Sequence, residues 1–162
     1  VVERLLAHDA IDVNQAKTDT GSTPLYIACQ QNHKAVVERL LAHDAIDVNQ
    51  AKTDTGSTPL YIACQQNHKA VVERLLAHDA IDVNQAKTNK VTPLNIAADK
   101  GCVRIVELLL SRSADTSVVD KWGDTARRAA EGKGHTGIAA MIEKAEEEAA
   151  ARSRDRGESA AE

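Results

Sequence analysis

Residues 1–53 recur letter for letter as residues 36–88. The unit is VVERLLAHDAIDVNQAKTDTGSTPLYIACQQNHKA, 35 residues long, starting at Val1, again at Val36 and a third time at Val71. A period of this size constrains the fold more than any other feature. Each unit is one supersecondary element that buries its apolar face only against its neighbours. After Thr88 the letters diverge but the pattern persists. Thr-Pro-Leu occurs at Thr23–Leu25, Thr58–Leu60 and Thr92–Leu94, with a degraded form at Thr125–Arg127. The prolines are 35 and 34 residues apart, and Pro93 lies 33 residues before its replacement, Ala126.

Each unit carries two helical signals. Thr23 precedes Pro24, and proline suits the first turn of a helix, where its missing N–H is not needed. Leu25, Ile27, Ala28 and Cys29 then predict a short apolar helix ending near Asn32, a residue that tolerates the left-handed conformation of a helix stop. Val36, Val37, Leu40 and Leu41 form one apolar stripe on a second helix. The polar stretch from Asn49 to Gly56 predicts a turn or projecting loop.

The ends differ from the middle. The first copy begins at its second helix, so Val2, Leu5 and Leu6 lack part of their partner, and further repeats or a cap are expected before Val1. The segment GDTARRAAEGKGHTGIAAMIEKA keeps the two-helix spacing but puts Arg127 and Arg128 where Leu60 and Tyr61 stand. A more polar last repeat suits a cap facing water. The stretch from Glu146, EEEAAARSRDRGESAAE, predicts a helical extension and then a disordered tail.

These residues closely resemble the ankyrin repeat. TGSTPLYIACQQNHKAVVERLLAHDAIDVN matches the family pattern G-x-T-P-L-H-x-A-A-x-x-G-H-x-x-V-V-x-L-L-L-x-x-G-A-x-V-N, and VTPLNIAADKGCVRIVELLLSRSADTS matches it independently. The resemblance covers about residues 1–145. It implies an all-α solenoid of stacked helix-turn-helix units with short projecting β-turn loops. The expected divisions are a partial first repeat at 1–21, repeats at 22–56, 57–90 and 91–123, a capping repeat at 124–146, and the extension and tail at 147–162. Tyr26, Tyr61 and Asn95 replace the His of TPLH, which is expected to weaken a local hydrogen-bond network. Asn32 and Asn67 replace the Gly of GH, and Cys102 replaces its His. Extra residues are expected near His43–Ile46 and Thr53–Thr55. These insertions, the buried cysteines and the divergent later copies point to recent natural duplication rather than consensus design.

Composition excludes several function classes. The net charge is −4 and the pI about 5.9, which does not suggest general affinity for nucleic acid. No run of 18 apolar residues marks a membrane span, and no signal-peptide pattern opens the chain. Three cysteines do not close a disulfide framework. Cys29, Cys64 and Cys102 are expected to be reduced and buried, which favours an intracellular, cytoplasmic location.

No catalytic constellation is present: there is no phosphate-binding Gly-rich loop, nucleophile elbow or His-x-x-x-His pair. Ser22 and His33 simply repeat with the scaffold. His33, His68 and His135 hold the GH position, which is structural in the family. His8, His43 and His78 end the second helices, where a solvent-facing or capping role is expected. Neither a metal nor a cofactor is implied, and the chain is not expected to be an enzyme. Arg127, Arg128 and Lys133 suit a solvated cap face better than an acidic partner. Trp122 either anchors a partner or packs against the cap or tail, and the sequence leaves both open.

The resemblance implies binding of another protein by a monomeric chain, through loop tips and the exposed side of the first helices. The loop positions are Asp19, Thr20 and Ser22, then Asp54, Thr55 and Ser57, then Asn89 and Val91, then Lys121, Trp122 and Asp124. The helix positions are Gln30, Gln31, Gln65, Gln66, Asp99 and Lys100. Ladders of Asp and Gln favour an extended or repetitive target. Two alternatives stay open: a substrate-recruiting arm of a larger multidomain enzyme, and a mechanical spacer.

Overall fold

A computed structural model describes residues 11–158. Among them are eight helices and no strand: α1 Pro24–Gln30, α2 Lys34–Leu41, α3 Pro59–Gln65, α4 Lys69–Leu76, α5 Pro93–Asp99, α6 Val103–Ser111, α7 Ala126–Gly132 and α8 Thr136–Glu158. The odd-numbered helices stack in one row, α1 on α3 on α5 on α7, and the even-numbered in a second, α2 on α4 on α6 on α8. Residues 1–10 of the expected partial repeat lie outside the described residues, and with them Val2, Leu5, Leu6 and His8.

Each first helix starts on a threonine. The Thr23, Thr58, Thr92 and Thr125 backbones are extended, and each hydroxyl accepts the N–H three residues on. The stop is a left-handed residue: Asn32 (φ 58°) and Asn67 (φ 56°), then Gly101 (φ 70°) and Gly134 (φ 77°). The TPLH substitutions leave this cap in place. Only Asn95 adds the reciprocal bond back to its N-cap, from Thr92 N–H to Asn95 Oδ1 at 3.1 Å. Tyr26 and Tyr61 are buried instead. Lysines of the following loops cover them, Lys52 Nζ at 5.6 Å and Lys87 Nζ at 5.0 Å from the ring centres.

Leu25, Leu60, Leu75, Leu94, Ile105, Leu109, Ile138 and Ile142 are fully buried between the rows. Each contributes roughly 1.5–3 kcal/mol of transfer free energy. Polar groups then tie one repeat to the next. Asn14, Asn49 and Asn84 reach the following unit: Asn14 to Ala45 and Asp47, Asn49 to Ala80 and Asp82, Asn84 to Asp115. His68 Nε2 lies 3.1 Å from the Gln30 carbonyl and His135 Nε2 lies 3.2 Å from that of Asp99, at the open end of the preceding first helix. Cys102 at the same register approaches the Cys64 carbonyl through its thiol, at 3.9 Å. His43 and His78 accept the backbone N–H of Ala45 and Ala80.

The cations of α7 and the residues around it are paired. Arg127 binds Glu143 at 3.0 Å and Glu146 at 3.5 Å. The last helix continues past residue 146 to Glu158. Ala, Glu and Arg are strong helix formers, and Lys144–Glu148 adds an i,i+4 pair. Residues 159–162 lie outside the described residues.

Candidate partner-binding face

The projecting loops close as tight turns. Lys52 N–H bonds the Ser57 carbonyl, Lys87 N–H that of Val91, and Asp120 N–H that of Asp124. Neighbouring tips are tied together by Thr88 N–H to the Thr55 carbonyl at 3.1 Å and Lys121 N–H to that of Asn89 at 3.0 Å. The tips and the first helices therefore form one continuous face.

Most of the sequence-predicted positions are open on it. Asp19, Asp54, Lys121, Trp122, Gln30, Gln31, Gln66 and Lys100 are exposed; Thr20, Thr55, Asn89, Asp124, Gln65 and Asp99 are half-buried. Ser22, Ser57 and Val91 are buried. They offer a partner little surface, because each sits where the loop turns inward to its N-cap threonine. Asp54 is held below the usual carboxylate range by its hydrogen bond from Lys52, 3.1 Å away. The expected Asp ladder therefore includes a carboxylate already bound by its own loop.

Trp122 is 64% exposed. Its turn is built around Asp120, whose Oδ1 accepts the N–H of Trp122 at 2.8 Å and of Asp124 at 3.0 Å. Lys121 Nζ lies 4.5 Å from the indole centre. Arg128 braces the same loop through Asp124 at 3.3 Å and the Gly123 carbonyl at 3.4 Å.

Beside this tip a groove of about 380 Å³ runs between the loops and α5 and α7. It gathers Asn89, Val91, Asp99, Trp122 and Asp124 from the predicted set. Asp19, Thr20, Gln30 and the other positions of the earlier repeats lie away from it. Sequence reasoning missed Asn95 and Asp120, which also line it. The available signal was a break in an otherwise repeating pair, Lys with Tyr. Arg128 and Lys133, read as a solvated face, line the groove too and are neutralised there, Lys133 by Asp99 at 3.7 Å.

The three thiols are free and buried. Burial pushes Cys29 up to about 12 and raises Cys64 and Cys102 as well. They are protonated at neutral pH and thus poor nucleophiles. Among the described residues no group of three His, Cys, Asp or Glu side chains stands close enough to hold a metal ion, and no helix is long and apolar enough to cross a membrane.

A family model for ankyrin repeats in three copies matches residues 1–52 and 47–120. The chain belongs to the ankyrin repeat family. Its members are generally protein–protein interaction modules rather than enzymes. A comparison with curated proteins finds no match.

Proposed function

We propose that this chain binds another protein through its loop tips and the exposed side of its first helices, with Trp122 as the principal anchor. The observation that carries this reading is the exposed indole held on a braced turn at the lip of a groove. Large, rigid aromatic side chains beside pockets dominate interface energetics. The exposed Gln30, Gln31 and Gln66 and half-buried Gln65 extend the face over the earlier repeats, which favours an extended target.

The test uses a partner identified by affinity capture and mass spectrometry. Trp122→Ala combined with Gln65→Ala is expected to weaken its binding by roughly tenfold or more, with helical content unchanged by circular dichroism. Unchanged affinity would remove the assigned face.

A further inference from the structure

The groove beside Trp122 lies where a repeating pair is broken. Lys52 covers Tyr26 and Lys87 covers Tyr61. At the next step both members change: Asn95 stands in the tyrosine position and Asp120 in the lysine position, and both line the groove. The aromatic ring that fills this place in the two preceding repeats is absent from the third.

The polar groups left behind have unmet needs. Asn95 is 3% exposed, and its Oδ1 is engaged twice by Thr92, through the backbone N–H and the hydroxyl. That fixes the amide with Nδ2 turned away from the cap. Nδ2 has no hydrogen-bond acceptor among the described residues, and a buried donor left unmet is destabilising. Asp120 accepts only backbone N–H groups and has no cation partner among the described residues. The other lining charges are matched, Asp99 by Lys133 and Lys100, Asp124 by Arg128. A cationic side chain would suit Asp120 but leave Asn95 without an acceptor. An anionic one would meet Asp120. A neutral aromatic side chain with one hydroxyl satisfies both.

We propose that this groove receives a tyrosine side chain projecting from the partner protein. Its ring takes the place that Tyr26 and Tyr61 fill in their own repeats, beside the Trp122 indole. Its hydroxyl oxygen accepts from Asn95 Nδ2, and its O–H donates to the Asp120 carboxylate. This rests on the reading that the face binds protein.

The probes are N-acetyl-tyrosinamide and its phenylalanine and phosphotyrosine counterparts, titrated into the labelled protein by NMR. The reporters are the Asn95 side-chain amide and the indole N–H of Trp122, the single tryptophan. The tyrosine probe is expected to shift both signals saturably. The phenylalanine probe should bind roughly fivefold or more weakly, because it leaves the Asn95 donor unmet. The phosphotyrosine probe should not bind, because its charge meets Asp120. Asn95→Tyr, alone or with Asp120→Lys to restore the pair of the earlier repeats, should abolish binding while the helical spectrum is kept. Equal binding of the phenylalanine probe, full binding by both variants, or no movement of the Asn95 signal overturns the proposal. If the probes fail while Trp122→Ala with Gln65→Ala still weakens an identified partner, the tyrosine site falls and the binding face stands. If that double variant also has no effect, the face itself falls.

Discussion

Asn49 holds the backbone of Asp82 across a repeat boundary. Its Oδ1 accepts the Asp82 N–H at 2.9 Å, while its Nδ2 donates to the Ala80 carbonyl at 2.7 Å. One half-buried amide thus satisfies a donor and an acceptor of the next unit, and Asn14 makes the same pair of bonds one repeat earlier.

Asn49→Ala should therefore cost about 1–3 kcal/mol, since it removes two hydrogen bonds to the next repeat, each worth roughly 0.5–1.5 kcal/mol. Urea denaturation measures it. Ser117 holds the same register in the last loop and bonds only within it, to Asp115. Ser117→Ala should cost no more than about 1 kcal/mol, the usual worth of one exposed hydrogen bond. Equal costs at the two positions would contradict a role in joining repeats.

Gly101 adopts φ +70°, and a Cβ placed there would come within 2.7 Å of the His135 ring. Gly101→Ala combines left-handed strain of roughly 1–2 kcal/mol with that clash. In a His135→Ala background the clash disappears and only the strain remains. The two substitutions should be non-additive in a double-mutant cycle read by thermal unfolding.

Cys29 ionises near 12 in the folded chain, against about 8.5 for an exposed thiol. The folded value is raised, so this contribution to stability is complete below about pH 8.5 and is lost as pH rises toward 12. One unit above the unfolded value the loss is about 1.4 kcal/mol per buried thiol. Denaturation at pH 7.5, 8.5 and 9.5 should show a steeper decline for the natural chain than for Cys29→Ala with Cys64→Ala. Parallel declines would show that the thiols are not shielded.

Trp122 is 64% exposed, so Trp122→Ala should change stability by no more than about 0.5 kcal/mol. Its fluorescence should be that of a hydrated indole and be quenched readily by iodide. A blue-shifted, protected emission would place the ring inside the fold.

The helices were legible because Thr-Pro-Leu and the Val36, Val37, Leu40, Leu41 stripe each carry a local rule. The role of Trp122 was not, because packing against the cap and pointing to solvent share one sequence. The Asn14, Asn49 and Asn84 ladder was also hidden. An asparagine before a loop reads as turn chemistry, and its partners lie 31 and 33 residues away. Burial of Ser22, Ser57 and Val91 was missed for a related reason: the tip and its inward-turning neighbour are only two residues apart. Asn95 was read as a weakened cap. Its other consequence, a gap beside α7, depends on Asp120 in the next repeat.

The letter-for-letter identity of the α1–α2 and α3–α4 units has a consequence for folding fidelity. Their surfaces toward α5 and α6 are chemically indistinguishable. Either unit could dock there, with the other looped out, and no mismatched contact would report the error. Correct order in this stack is therefore enforced by chain connectivity and by the interface that the slipped form loses. Shape recognition between units cannot enforce it. The divergent third repeat and the cap are the only described segments whose place in the stack their own side chains specify.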